Sequence, residues 1–191
     1  YYLRNYSVNV AHNDLKNIAL NQRHTLLRNG MQFDADLLNQ ERQRVASAMR
    51  RRGYFYFDQE MLQFEADSSR VKGQIDVKMQ LQDYVQALSE EEKDQIFQTY
   101  TIAHVSFHID YDPARVPDNA EMYSSSQKGY VFTWIGNKLL REQMLIRNCP
   151  IKPGDRYNES MVERAYARLN HLAPIKYVDI SFEQISANEL D

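Results

Sequence analysis

The chain has 191 residues, a formal net charge of −3 and 12% aromatic residues. This length fits one large or two small domains. The slightly acidic balance argues against a dedicated nucleic-acid binder, which is usually strongly basic. No apolar run is long enough to cross a membrane as a helix. Cys149 is the only cysteine, so no disulfide can form within the chain.

The N-terminal part predicts a strand and then a helix. Tyr6, Val8 and Val10 alternate with polar residues, which is typical of a strand, and from Asn13 to Leu27 the apolar spacing becomes helical. An Asn-Gly pair ends this helix at Gly30. The chain opens within the strand pattern, at Tyr1, so we expect it to be part of a longer protein.

A second helix is bracketed by clear start and stop signals. Asp34 is a good N-cap, because its carboxylate can accept hydrogen bonds from the free amides of the first turn. Phe33 and Leu38 have the spacing of a hydrophobic staple around that cap. Gly53 follows where a left-handed residue can end the helix, and Tyr54 to Phe57 predicts the start of an aromatic strand.

Two strands complete the first predicted module. Leu62, Phe64 and Ala66 share one face of a strand, and a turn follows. The clearest half-buried strand comes next, with alternate apolar residues at Ile75, Val77, Met79 and Leu81. The first module therefore has the order β-α-α-β-β over residues 1–88. The highly charged residues 89–98 predict a solvated connector.

The signals of the second helix recur near the other end of the chain. At a constant offset of 124 positions (154 − 30), Gly154, Tyr157 and Asn158 repeat Gly30, Phe33 and Asp34. Such a repeat predicts two related modules in tandem, the second over residues 99–191. Both are expected to be α+β, each a small mixed sheet covered on one face by two helices.

The second module departs from the first in two places. Residues 110–135 form an insertion, interpreted as a loop and an extra strand. The aromatic residues that mark this extra strand are Tyr130, Phe132 and Trp134. A helix is expected from Leu139 to Cys149.

A strand carrying Val178, Ile180 and Phe182 is expected after the repeated helix. Too few residues then follow for a final strand. We expect a gap in this sheet, filled by a neighbouring chain or closed by its flanking strands.

Residues that could carry chemistry do not form a convincing site. His104 and His108 lie four positions apart on one predicted strand, a distance of about 13 Å that is too long for one metal ion. Asp110, Asp112 and Asp118 lack the spacing of a calcium loop. We therefore expect no catalytic residue, metal site or cofactor, and an inert thiol at Cys149.

The second helix is locally basic, with Arg42, Arg44 and the run Arg50–Arg52. A solvated helix face is the simpler interpretation, and contact with nucleic acid or acidic lipid is the alternative. Glu41 lies at the margin of the apolar stripe, where a carboxylate needs a partner such as Arg44 or a backbone amide. Its role is then structural.

The β-α-α-β-β order, together with these helix signals, resembles POTRA (polypeptide-transport-associated) domains. In the first module the resemblance rests on Gly30-x-x-Phe33-Asp34 before the second helix and on Arg52-Gly53-Tyr54-Phe55 after it. In the second module the matching segments are Lys152 to Tyr157 and Lys176 to Phe182. The Glu41-Arg42-x-Arg44 motif and the insertion beginning Asp110-Tyr-Asp-Pro are similar to BamA-like outer-membrane assembly factors of the surface antigen D15 type.

This resemblance implies the periplasmic arm of a protein anchored in the outer membrane of a Gram-negative bacterium by a C-terminal β-barrel outside this chain. The implied role is the folding and insertion of outer-membrane proteins without a cofactor. The implied partners are unfolded outer-membrane proteins or accessory lipoproteins, and not nucleic acid.

In the family the third strand is central and the second is at the sheet edge. The implied partner-binding residues of the first module are Leu62, Gln63, Phe64, Glu65 and Ala66. Such an edge can bind an extended chain through its backbone, a process called β-augmentation. A secretion-type transporter arm and, less favoured, a small nucleic-acid-binding module remain as alternatives.

Overall fold

The computed structural model describes residues 1–109, 121–136, 140–173 and 175–191. The chain divides into two compact units, Tyr1–Gln98 (unit one) and Thr99–Asp191 (unit two). Each unit combines small mixed sheets with helices, so the predicted α+β fold class is confirmed.

Unit one contains a three-stranded sheet and four helices. In chain order its elements are β1 (Tyr2–Asn9), α1 (Asn13–Ala19), α2 (Ala35–Arg50), a 3-10 turn (Gln59–Met61), β2 (Leu62–Asp67), β3 (Gln74–Leu81), α3 (Asp83–Gln86) and α4 (Glu90–Phe97). The central strand is β3, which runs parallel to β1 and antiparallel to β2. The strand order implied by the resemblance is therefore present in unit one, with β2 at an edge.

The signals that predicted α2 have their expected roles. The Asp34 carboxylate accepts a hydrogen bond from the Asp36 amide at 2.9 Å, which caps the helix. Gly53 has a φ of 105°, the left-handed conformation expected just past the helix. Val45 and Met49 lie fully buried in the core between α2 and the sheet.

Two local predictions in unit one are wrong. Helix α1 ends at Ala19 rather than Leu27, because the Asn21 side chain accepts the Arg23 amide at 3.1 Å and favours a turn over a further helical turn. The segment from Tyr54 to Phe57 is a turn rather than a strand. The rings of Tyr54 and Phe57, at the two ends of this segment, are buried. They pack in the core, and the segment does not pair with a strand.

The prediction of a solvated connector at residues 89–98 is also wrong. Residues Glu90–Phe97 form α4, whose N-terminus has a capping box in which Ser89 and Glu92 each bond the other's backbone amide. The apolar side of α4 packs against the core of unit one through Ile96 and Phe97. The charged residues are the exposed face of an amphipathic helix.

Unit two contains two small sheets and two helices among the described residues. In chain order its elements are β4 (Thr101–Ile102), β5 (Val105–Ile109), β6 (Met122–Gln127), β7 (Tyr130–Ile135), α5 (Glu142–Asn148), α6 (Glu159–Asn170) and β8 (Glu189–Leu190). One sheet has the order β5-β7-β6, with β7 parallel to β5 and antiparallel to β6, and the other pairs β4 with β8 in parallel.

The insertion is more ordered than the sequence predicted. The extra strand is present as β7, with Tyr130 and Phe132 buried. The serine-rich segment before it, interpreted as a loop, is strand β6. The remainder of the insertion, residues 110–120, lies outside the described residues, as does the expected helix start at Leu139.

The repeat is visible in backbone hydrogen bonds. The amide of Gly30 donates to the carbonyl of Leu3 at 2.6 Å, and the amide of Gly154 donates to that of Ile102 at 2.6 Å. A second pair of bonds matches in the same way. The Phe33 amide donates to the Tyr1 carbonyl at 2.9 Å, and the Tyr157 amide donates to the Tyr100 carbonyl at 2.8 Å. The loop before the second helix therefore joins the first strand in the same register in both units.

The expected gap in the sheet of unit two is wrong, because β7 lies beside β5. The expected strand around Val178, Ile180 and Phe182 is not formed either. The Ile180 backbone instead bonds the Tyr166 hydroxyl, its N–H donating at 2.9 Å and its carbonyl accepting at 3.3 Å. A segment forms a strand only when a neighbouring strand pairs with it. In the described sheet, β7 lies beside β5 and pairs with β6 on its other side, and not with residues 175–182.

Candidate binding edge

The five residues predicted to bind a partner all lie in β2 of unit one, from Leu62 to Ala66. This strand pairs with β3 on one side. On its other side no strand pairs with it in the part of the chain that the structure describes. The structure thus places the candidate residues together along one sheet edge.

The ladder register shows which backbone groups face that edge. The amide of Gln82 donates to the carbonyl of Met61 at 2.8 Å, and this pair continues the register of β2 and β3. Because hydrogen-bonded and non-hydrogen-bonded pairs alternate in an antiparallel ladder, Gln63 and Glu65 direct their amides to β3. The amides and carbonyls of Phe64 and Ala66 then point outward.

The start of β2 is already occupied by contacts within the unit. The Leu62 amide donates to the carbonyl of Gln59, and the Leu62 carbonyl accepts from the Arg42 guanidinium at 3.4 Å. The open part of the edge therefore begins at Phe64. It offers alternate donors and acceptors spaced for one incoming strand.

The side chains of β2 hold the edge in place from the core side. Leu62 is fully buried and packs in the main core of unit one. Phe64 is half-buried and its ring lies 6.4 Å from that of Tyr6 on β1. An edge anchored in this way loses little conformational freedom when it binds a strand.

The opposite face of the sheet is polar around β2. The Glu65 carboxylate contacts Lys78 Nζ at 2.6 Å and accepts from the Gln80 amide at 2.7 Å. These hydrogen bonds, that of Lys78 first, lower the pKa of Glu65. Gln63 Nε2 donates to the Leu81 carbonyl at 3.2 Å. These side chains are engaged with β3, so the groups that the edge itself presents are the outward backbone amides and carbonyls.

The other edge of this sheet is covered where β1 begins. The Leu3 amide donates to the carbonyl of Met31 at 2.8 Å, and Tyr2 forms a bridge with Gln32. This cover of β1 was not predicted from the sequence. The signal that could have found it is Gly30, whose φ of 85° turns the loop back along β1.

Basic residues in α2 and just after it are engaged in contacts within unit one. Arg50 donates to the Phe57 carbonyl at 3.1 Å, and Arg52 lies 3.5 Å from Asp14. Arg42 contacts the Leu62 carbonyl as described above. These contacts favour a structural role for the arginines over a nucleic-acid surface.

The structural role predicted for Glu41 is confirmed. Its side chain is fully buried and accepts two hydrogen bonds from Arg44, at 2.8 and 2.7 Å. It also accepts from the Thr25 hydroxyl at 2.8 Å and from the Leu26 amide at 3.0 Å. The carboxylate thereby fixes the loop after α1 to helix α2.

The remaining candidates show no converging chemistry. Across the described ranges, no group of three His, Cys, Asp or Glu residues could hold a metal ion. His108 Nδ1 lies 2.7 Å from the Thr133 hydroxyl. Burial raises the pKa of the Cys149 thiol, so the reactive thiolate is scarce at neutral pH. None of the described helices is long and apolar enough to cross a membrane.

No protein-family model and no curated protein matches the chain. Among solved structures, it is similar to POTRA3-5 of BamA from Haemophilus influenzae, with 12% identity, a TM-score of 0.33, and coverage of 100% of this chain and 93% of that one. It is also similar to POTRA1-3 of Omp85 from Anabaena, with 10% identity, a TM-score of 0.32, and coverage of 99% and 92%. The structures similar to this chain thus include POTRA regions of BamA and Omp85 proteins, the family that its motifs resemble.

Proposed function

We propose that this chain is a periplasmic POTRA region of an outer-membrane protein assembly factor, and that the β2 edge of unit one binds extended polypeptide segments. The observation that carries the proposal is the outward direction of the Phe64 and Ala66 backbone groups on a strand that, among the described residues, pairs on one side only. Unpaired edge groups of this kind can form a new ladder with an incoming strand.

The chemistry of the edge suits clients of many sequences. Backbone hydrogen bonds supply the affinity in β-augmentation, and they do not depend on the client's side chains. The clients that fit are segments of unfolded outer-membrane proteins or exposed strands of accessory lipoproteins. Neither class requires a cofactor or a catalytic residue for binding.

The test replaces Ala66, because its amide points outward and its side chain is exposed. Ala66→Pro removes that amide and puts a proline ring where the client backbone would lie. Ala66→Val is the matched control, because it keeps the amide and favours a strand. The readout is the affinity for a peptide of alternating apolar and polar residues, with amide exchange mapping the site.

We expect Ala66→Pro to weaken peptide binding about tenfold, the equivalent of one backbone hydrogen bond and a steric clash. Ala66→Val should bind as the parent does, and the bound peptide should protect the amides of Phe64 and Ala66 from exchange. Unchanged affinity in an Ala66→Pro protein that is shown to be folded would contradict the proposal.

A further inference from the structure

The loop that follows α1, residues 20–28, is tied to α2 through the buried Glu41 carboxylate. That carboxylate accepts hydrogen bonds from the Thr25 hydroxyl at 2.8 Å and from the Leu26 amide at 3.0 Å. The Leu27 amide donates to the same hydroxyl at 3.2 Å, and the side chains of Thr25 and Leu27 are buried. The course of the loop is therefore fixed where it crosses α2.

A turn in the first half of the loop adds backbone hydrogen bonds. The amides of His24 and Thr25 both donate to the Asn21 carbonyl, at 3.0 and 2.9 Å. The Arg23 amide donates to the Asn21 side-chain oxygen at 3.1 Å. The shape of the loop is thus set before any partner binds, so that binding costs little conformational freedom.

This fixed loop exposes two leucines. Leu20 is 41% accessible and Leu26 is 36% accessible. From Thr25 to Arg28 buried and exposed side chains alternate, so Leu26 and Arg28 both face outward. Leu20 lies one helical turn after Lys16, which is also exposed. Single exposed leucines are ordinary on protein surfaces, so the meaning of these two depends on their neighbours.

The neighbours of the two leucines are cations without a counter-charge. Residues 15–33 contain no Asp or Glu, and Lys16, Arg23 and Arg28 are exposed. Across the described ranges, none of these three side chains forms an ion pair. Other cations of unit one are ion-paired, as Arg4 is with Asp76. The loop thus combines positive charge with exposed apolar groups.

This combination matches the layered chemistry of a lipid surface. Headgroup phosphates attract Lys and Arg, and the apolar boundary beneath them receives leucine side chains. A nucleic acid or an acidic polypeptide would neutralise the cations but offers no continuous apolar layer to the leucines. The chain as a whole has a formal net charge of −3, so an anionic surface attracts it locally, at this loop, and repels the remainder.

We propose that the loop of residues 20–28, together with Lys16, docks on an anionic phospholipid surface. Lys16, Arg23 and Arg28 contact headgroup phosphates, while Leu20 and Leu26 enter the boundary of the acyl chains. The buried Glu41 carboxylate supports this docking, because it holds the loop in the shape that presents these groups. The surface is distinct from the β2 edge and requires no polypeptide client.

The test measures binding of the full chain to vesicles by co-sedimentation. The probe is phosphatidylcholine vesicles that contain about 30 mol% phosphatidylglycerol, and vesicles of phosphatidylcholine alone are the neutral reference. Arg23→Gln/Arg28→Gln removes two cations from the loop. The matched control is Lys72→Gln/Lys152→Gln, which makes the same change in net charge at two exposed lysines outside the loop.

We expect the parent protein to bind the anionic vesicles at least about tenfold more strongly than the neutral ones, and less strongly as salt is raised. Arg23→Gln/Arg28→Gln should weaken this binding by about tenfold, whereas the control should bind nearly as the parent does. Leu20→Ser/Leu26→Ser keeps the charges and should also weaken binding by about tenfold, because the apolar contribution is lost.

Amide exchange of the parent protein locates the contact without relying on any variant. Bound vesicles should slow exchange in residues 16–28, and unchanged exchange there in vesicle-bound protein would overturn the proposal. Equal binding by Arg23→Gln/Arg28→Gln and its control would also overturn it.

Two further outcomes would assign the loop to another partner. Vesicle binding that Leu20→Ser/Leu26→Ser leaves unchanged would show a purely electrostatic contact and contradict docking into the lipid boundary. Tighter binding to poly-glutamate than to the vesicles would identify an acidic polypeptide as the ligand. Peptide binding at β2 is measured separately, so failure of this proposal leaves that edge unaffected.

Discussion

At the scale of single residues, Glu41 illustrates how a charge can be buried in a small unit. Its carboxylate accepts hydrogen bonds from Arg44, from Thr25 and from the Leu26 amide. Arg44 also donates to the Ile18 carbonyl at 3.1 Å, at the end of α1. One ion pair therefore connects α1, the following loop and α2, and its removal should affect all three.

We expect Glu41→Gln to destabilise unit one by about 3 kcal/mol, because Arg44 is left largely buried without its counter-charge. Arg44→Met should cost a similar amount. In the double variant Glu41→Gln/Arg44→Met the loss should be smaller than the sum of the two, since no unpaired charge remains. The free energy of unfolding in urea measures all three, and additive losses would show that the pair is not coupled.

At the scale of elements, α4 shows how a charged sequence can belong to a core. Its exposed face carries the glutamates that suggested a connector, while Ile96 lies 9% accessible against the core of unit one. The capping box was visible in the sequence as Ser89 followed three positions later by Glu92. Weighing that signal together with Ile96 and Phe97 would have predicted the helix.

Two substitutions separate a structural α4 from a solvated connector. Ser89→Ala removes the N-cap and should cost about 1 kcal/mol. Ile96→Ala leaves a cavity in the core and should cost about 2–4 kcal/mol. Glu91→Ala, on the exposed side of the same helix, is the control and should change stability little. Chemical denaturation gives the free energy of unfolding of unit one for each variant. If Ile96→Ala left this free energy unchanged, α4 would not be part of the core of unit one.

At the scale of the whole molecule, the repeat and both long helices were predictable because their signals are local. Asp34 and Asn158 mark caps within a few residues of the helices they begin. The place of β7 was not predictable, because the alternation of Tyr130 and Phe132 shows a strand but not its neighbour. Residues 175–182 have the alternation of a strand but do not form one, since strand formation depends on which distant segment lies beside them in the sheet.

The candidate edge was predictable in position but not in detail. The resemblance placed β2 at an edge, whereas the outward direction of Phe64 and Ala66 depends on the register with β3. A one-residue change of register would exchange inward and outward amides. The covering of β1 likewise depends on tertiary contacts with Leu3, because Gly30 marks a turn but does not specify which strand the turned loop meets.

The two units should respond separately to matched changes in the repeated staple. Phe33 packs on a cluster drawn from unit one alone, whereas Tyr157 is buried in unit two with its ring 5.4 Å from that of Phe182. Phe33→Ala and Tyr157→Ala should each destabilise their own unit by about 1–3 kcal/mol, a usual loss when one packed side chain is truncated. Native-state amide exchange resolves the two units residue by residue.

For Phe33→Ala, faster exchange should be confined to unit one, and for Tyr157→Ala to unit two. The conservative changes Phe33→Leu and Tyr157→Phe keep an apolar side chain at the staple and should shift exchange much less. The expectation rests on the division of the chain into two compact units, Tyr1–Gln98 and Thr99–Asp191. Equal loosening of both units by either alanine variant would show that the chain unfolds as one cooperative domain.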